Sequence, residues 1–221
     1  PVRLAVITNG SLITETDVWD ALHLADWVSL KVDAPEEQLR RKIDRPARAL
    51  APAPLLDRFE AFAREFSGTC TTETMLVDAL NTAGEVPYHL AKRIASIAPD
   101  VAYLSVPTRP PAESWVQPPD EETVTAIYRI FSEEGIPVEL NVTHEEGAFI
   151  AAGEVAESIL AITSVHPIRE DDLRRTLETR GADWRVVEEL LESESLLRQT
   201  YRNEHYYIAR LKPKRRSSSV S

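Results

Sequence analysis

The sequence predicts an α/β fold: βα units on a parallel sheet or an opened barrel, followed by a small winged-helix-like α+β domain. Three observations predict it. Short β-branched, apolar runs alternate with amphipathic helical stretches four times over in the first 142 residues. Around Glu145 to Glu154 that alternation stops. Beyond it come three helical stretches and then two β-like runs, which is the order of a winged helix.

Val2 to Ile7 is a β-branched apolar run closed by Asn9-Gly10, which reads as a buried parallel strand. The following TETDVWDALHLA reads as a helix, with Thr14 as its N-cap and Val18, Leu22 and Ala25 at helical spacing. Asp26 to Ala34 alternates as a second strand, and Leu56 to Gly68 is an amphipathic helix that Gly68 should end. Thr69 to about Val77 gives a third strand, VPYHLAKRIASIAP a helix and DVAYLSVPTRPP a fourth strand. DEETVTAIYRIFSEEG is a helix with an acidic first turn and a Gly stop, and IPVELNV a fifth strand.

The second part opens with EVAESILAITSVHP, a helix that Pro167 stops, and REDDLRRTLETRGA, a helix ending at Gly181. A third helix follows, led by Asp183 as its cap, and then a hairpin around Arg202-Asn203-Glu204. The expected division is a barrel-type domain over 1–152, a winged-helix-like domain over 153–211 and a basic disordered tail over 212–221.

Composition narrows the class. Hydrophobic residues make up 43% and charged residues 28%, as in a globular chain with a real core. No apolar run approaches the ~20 residues that span a bilayer, so no membrane association is expected. Cys70 is the only cysteine, so no intrachain disulfide can form, which suits a reducing cytoplasm. The five histidines are scattered with no second ligand at metal-binding spacing, and no residue is assigned to a metal. From Ser195 onward seven Lys/Arg and one Glu carry +6, which leaves −17 of the total −11 on the other 194 residues. A body that acidic repels phosphates, so DNA is not an expected partner. The predicted recognition helix, Asp183 to Ser193, carries Glu188, Glu189 and Glu192 against one Arg185. A protein-facing or substrate-covering role suits that module better.

The strand from Asp26 to Ala34 holds the strongest functional signal. Trp27, Ser29, Lys31 and Asp33 share one face, while Val28, Leu30 and Val32 share the other. Strands of a parallel sheet covered on both sides should be apolar on both faces. An edge strand or an internal Lys31–Asp33 ion pair would account for the polar row. A polar interior that holds a ligand accounts for it better, because buried charges without partners are costly. Other strand ends repeat the theme: Thr8-Asn9-Gly10 ends the first, Glu73 sits in the third, and Arg109 follows the fourth on a stiffened Pro-rich loop. Carboxyl ends of parallel strands are where α/β folds place their sites. Arg109 suits an anionic substrate group, or else an ion pair with Glu113 or Asp120. Trp115 suits stacking on a substrate, or else anchoring of its loop.

The order of a strand ending TNGSLI, the strand DWVSLKVDA, an Arg-Pro nearby, the strand TETMLVDALN and the strand AYLSVPTRPPAE resembles the radical S-adenosylmethionine (radical SAM) superfamily. Within it, the likeness is to the Fe-S oxidoreductases related to wyosine-type tRNA-modifying enzymes. The resemblance covers about residues 2 to 142. It implies the carboxyl-terminal part of a partial (β/α)6 TIM-like barrel from the third strand onward, with Asn9, Ser29, Lys31, Asp33 and Glu73 facing S-adenosylmethionine or the substrate above it. It also implies a 4Fe-4S cluster in the intact protein, held by a CxxxCxxC loop after the family's first strand. That loop, and the family's Gly-Gly-Glu stretch after the second strand, would lie upstream of Pro1.

The resulting expectation is a fragment of a radical SAM oxidoreductase, inactive as isolated, with no cofactor on the fragment itself. No residue is assigned a catalytic role, and the substrate is an RNA or a small molecule. Two further expectations stand beside it. One is a homo-oligomer formed through the exposed edge of the first strand. The other, from a different class, is a non-enzymatic binding protein whose winged helix contacts a protein or a nucleic acid.

Overall fold

A computed structural model describes residues 2–47, 54–141 and 155–210. The chain divides into two compact units, Pro1–Pro107 with Glu113–Thr143, and Thr108–Ala112 with His144–Ser221. The boundary expected at 152–153 and the tail over 212–221 lie outside the described residues.

The first unit runs β1 (Ala5–Thr8), α1 (Thr16–Leu22), β2 (Trp27–Lys31), α2 (Glu37–Ile43), α3 (Leu55–Glu65), β3 (Thr69–Met75), α4 (Val86–Ile97), β4 (Val101–Ser105), α5 (Glu121–Glu133) and β5 (Val138–Asn141). All five strands are parallel, in the order β1-β2-β3-β4-β5. The chain thus adds each strand beside the last, as successive βα units do.

The core explains the arrangement. Val28, Leu30 and Val32 of the β2 segment and Ala102 and Leu104 of β4 are buried against Phe59 and Phe62 of α3, Leu90 and Ile94 of α4, and Ile127 and Phe131 of α5. Trp19, His23, Phe62 and Phe66 pack as an aromatic group, and the Arg58 guanidinium sits 4.4 Å from the Trp19 ring. Side chains of the opposite parity, Ser29, Lys31, Thr71, Glu73, Tyr103 and Ser105, stand outside this apolar cluster. The sheet is therefore largely apolar toward its helices, with the buried Thr72 and Thr74 of β3 as exceptions, and largely polar on the other face.

Four local expectations are corrected. The first strand is not buried: Val2, Leu4 and Ile7 are exposed, because β1 is an edge strand with β2 as its one neighbour among the described residues. Glu15 rather than Thr14 precedes α1, and its side chain makes no cap bond. Gly68 does not end α3, which stops at Glu65. A Cβ there would lie 2.6 Å from the Asp26 carbonyl oxygen, so that glycine permits a close backbone approach. The short helix α2, EQLRRKI, is unforeseen, since only Leu39 and Ile43 mark an apolar side. Elsewhere the turn chemistry acts as expected: Asp120 accepts from the Thr123 N–H at 2.8 Å at the start of α5, and Gly135, at φ 78°, follows its end.

The second unit runs α6 (Val155–Thr163), β6 (Ile168–Arg169), α7 (Glu170–Thr179), α8 (Arg185–Glu192), β7 (Leu196–Tyr201) and β8 (Glu204–Ala209), with an antiparallel sheet ordered β6-β8-β7. Ile159, Leu173, Leu177, Val187, Leu190, Leu196 and Tyr207 form its core. Arg202 and Asn203, at φ 49° and 66°, make the two-residue turn that the twist of a hairpin favours. Trp184 rather than the expected Asp183 is the N-cap of α8, and Asp183 Oδ1, one residue earlier, accepts from the Arg185 N–H at 2.8 Å.

Candidate functional site

The site is built at the carboxyl edge of β1, β2 and β3. At the end of β1, Thr8 Oγ1 accepts from the Gly10 N–H at 3.0 Å, and Asn9 Oδ1 accepts from the N–H and hydroxyl of Ser11 at 3.1 and 2.8 Å. Gly10 has φ 64°, and a Cβ on it would lie 2.1 Å from Phe59 Cε1. Only glycine allows this turn to close against the core.

At the end of β2, Lys31 Nζ lies 3.1 Å from Asp33 Oδ1 and 3.7 Å from Glu73 Oε1 on β3. The Ser105 hydroxyl donates to the same Glu73 oxygen at 3.2 Å. Asp33 is 3% exposed, and its Oδ1 also accepts from the Met75 N–H at 2.7 Å. One polar row therefore crosses β2, β3 and β4 on the face opposite the apolar cluster. Lys31 and Glu73 are each about a quarter exposed, so the row is reachable from solvent.

A pocket of about 400 Å³ opens beside this row, within the ~300–1,000 Å³ range of small-molecule sites. Thr8, Asn9, Lys31, Asp33 and Asp44 supply its polar wall, and Ile7, Ile43, Met75, Val77, Trp115 and Val116 its apolar wall. Of the residues expected from sequence, Asn9, Lys31, Asp33 and Trp115 line it. Ser29 is buried one step further back along β2, and Glu73 supports Lys31 without lining the pocket.

Arg109 lies in the second unit, where the carbonyl of its neighbour Thr108 accepts from Tyr206 Oη at 2.8 Å. Of the two carboxylates considered for Arg109, Glu113 pairs with Arg45 and Asp120 serves as the α5 cap.

Asp44 was not foreseen. It follows the last turn of α2, where a carboxylate faces the negative end of the helix. Burial, then the hydrogen bond to Asp33 and the Asp33 charge, push its carboxyl up to about 7, while Lys31 and Arg40 pull the other way. Asp44 thus keeps its proton up to about pH 7, beside the lysine-paired Asp33. An acidic residue just past a basic helical stretch, RRKIDRP, was the available signal.

No protein-family model matches the chain. The UPF0026 protein MJ1312 of Methanocaldococcus jannaschii is 32% identical to it over 220 residues, which cover 99% of this chain and 68% of that protein. The chain belongs to the UPF0026 family. The UPF0026 protein slr1464 of Synechocystis is 30% identical over 105 residues, covering 48% of this chain and 39% of its own length.

Among solved structures, the UPF0026 chain resembles a domain of pyruvate-formate lyase-activating enzyme from Bacteroides vulgatus. The TM-score is 0.51 at 15% identity, over 63% of this chain and 81% of that one. At that identity the likeness concerns the fold, a parallel α/β sheet of partial-barrel type.

The donor set bears on the groups that the resemblance implied. The single thiol of this UPF0026 chain, Cys70, is buried at the start of β3, and burial and the Asp100 charge push it up to about 11. A cluster held by three thiolates does not fit these residues. Among the described residues, no group of three or more His, Cys, Asp or Glu is placed to hold a metal ion. Nor is any of their helices long and apolar enough to cross a membrane. The pocket, in contrast, has the size and the mixed wall that a nucleoside-sized ligand with charged groups requires.

Proposed function

We propose that this UPF0026 chain carries the ligand-binding part of a radical SAM-type enzyme, and that the pocket at the carboxyl ends of β1, β2 and β3 takes S-adenosylmethionine. The observation that carries this reading is the Lys31–Asp33–Glu73 row beside a half-apolar pocket on the polar face of a parallel sheet. When bound, S-adenosylmethionine supplies a carbon–sulfur bond whose reductive cleavage starts hydrogen abstraction from a substrate.

This chain's residues bind and orient. Lys31 offers an ammonium to a carboxylate while Asp33 and Glu73 fix its position. Asp44 can donate a hydrogen bond near neutral pH where an ionised aspartate could only accept. Trp115, 46% exposed, and Met75 and Val77 give a ring system a dry wall. The electron source is not built from these residues, so the complete reaction is proposed for a whole protein and not for this stretch.

The finer parts of the reading are proposals of the same kind. The substrate is an RNA or a small molecule: the wyosine-type likeness and the basic tail fit the former, and the acidic body argues against it. The second unit, whose element order matches a winged helix, covers the substrate or faces a protein, because Glu188, Glu189 and Glu192 on α8 oppose phosphates. The exposed edge of β1 can take a further strand, from a second copy of the chain among others.

Calorimetric titration of S-adenosylmethionine into the purified chain tests the reading. The expected result is saturable binding that Lys31→Met weakens about tenfold or more, which corresponds to about 1.4 kcal/mol. Absence of binding, or equal binding by Lys31→Met, would overturn it.

A further inference from the structure

We infer that Asn81 is the positioning residue of this pocket: its fully buried amide ties together the backbone of Asp33, Met75 and Val77, three residues of the pocket wall. The inference rests on the reading that the pocket is the ligand site.

Asn81 has no exposed surface, and its side chain is fully used. Its Oδ1 accepts from the Val77 N–H at 2.8 Å, and its Nδ2 donates to the carbonyls of Asp33 at 2.9 Å and Met75 at 2.8 Å. Both donors and the acceptor of one amide thus serve two chain segments at and just past the carboxyl ends of β2 and β3, where the β2–β3 ladder no longer holds them. Asp33 is clamped from two sides: Asn81 holds its carbonyl, and the Met75 N–H and Lys31 hold its carboxylate.

The loop that delivers Asn81 is unusual in itself. Ala79 adopts φ 57°, a conformation a non-glycine residue rarely takes, and the Leu80 N–H folds back to the Val77 carbonyl at 3.1 Å. The Asp78 N–H donates to the Gln117 carbonyl at 2.9 Å, which ties this loop to the Trp115–Val116 side of the pocket. A backbone kept in a sparsely populated region shows that surrounding contacts over-determine it. Here those contacts converge on the pocket.

No other side chain replaces this amide. Alanine loses all three bonds, glutamine places its amide one methylene too far out, and aspartate sets a carboxylate against the two carbonyls that Nδ2 now serves. Any of these frees the backbone at Asp33, and with it the approach of Asp33 to Asp44. The groups acting on Asp44 are Asp33 and Lys31 from the β2 end and Arg40 from α2.

The test compares the wild-type chain with Asn81→Ala and Asn81→Ser by carboxyl-carbon NMR titration of Asp44, calorimetry with S-adenosylmethionine, and urea unfolding. A positioning role predicts that the Asp44 midpoint moves from about 7 down toward the ordinary aspartate range and that affinity falls about tenfold. Lower stability with an unchanged Asp44 midpoint and unchanged affinity would overturn it. Should both variants fail to fold, amide exchange in the wild-type chain decides. The Val77 N–H should then be as protected as the β3 amides, and rapid exchange would contradict the inference. If the wild-type chain does not bind S-adenosylmethionine but the Asp44 midpoint moves in the variants, the ligand reading fails and the positioning role stands.

Discussion

The Lys31 ammonium stands 3.1 Å from the Asp33 carboxylate, which is almost wholly buried, and 3.7 Å from Glu73 on the adjacent strand. One cation thus serves two carboxylates while remaining a quarter exposed to the pocket side. Removing it as Lys31→Met leaves the buried Asp33 beside a second acid without its cation, with the Met75 N–H still donating to it. Breaking a buried pair costs about 3–5 kcal/mol, and partial exposure reduces that to about 2–3 kcal/mol at pH 7. Urea unfolding at pH 7 should show this loss, and equal stability of Lys31→Met and wild type would contradict it.

A pH signature follows from Asp44, whose carboxyl is raised from 3.8 to about 7 in the fold. Between those values the folded state keeps a proton that the unfolded chain has released. The stabilising contribution of that proton is complete below the ordinary value and lost as pH rises to about 7. Asp44→Asn removes this dependence. The variant should match wild type near pH 4 and exceed it in unfolding midpoint at pH 8; equal midpoints at both pH values would contradict the assignment.

The turn after β1 gives a steric prediction. Gly10→Ala puts a methyl 2.1 Å from the Phe59 ring, which is fully buried, and forces φ 64° on an L-residue. The two effects together should cost at least about 2 kcal/mol. Thermal unfolding is the check, and a shift of less than about 2 °C would show that the turn can rearrange.

Cys70 should be inert in the folded chain. Burial and the Asp100 charge hold its thiol at about 11, so almost no thiolate exists at pH 8. Labelling with an aromatic disulfide reagent should proceed only at the rate of unfolding, and accelerate in urea.

Much of this was legible in the sequence, for physical reasons that differ between residues. The alternation of Trp27, Ser29, Lys31 and Asp33 against Val28, Leu30 and Val32 places polar and apolar faces directly, since strand side chains have a period of two. Helices α3, α4 and α5 carry strong apolar periodicity and were equally readable. Helix α2 was not, because its polar turns bury no residue fully, and it is the helix that brings Asp44 to Asp33. Asn81 was hidden for another reason: a loop asparagine reads as a turn residue, and only the folded loop shows its amide turned inward. The placement of the Thr108–Arg109 segment depends on Tyr206, 98 residues away from Thr108, and no local pattern encodes that contact.

The central claim is that the carboxyl ends of β1, β2 and β3 form the ligand site of this UPF0026 chain. Backbone amide NMR of the isotope-labelled chain during titration with S-adenosylmethionine tests it most directly. The account predicts saturable shift changes concentrated at Asn9, Lys31, Asp33, Asp44, Val77 and Trp115, with a Kd of about 1 mM or tighter. Shifts confined to the second unit, or none at saturating ligand, would contradict it.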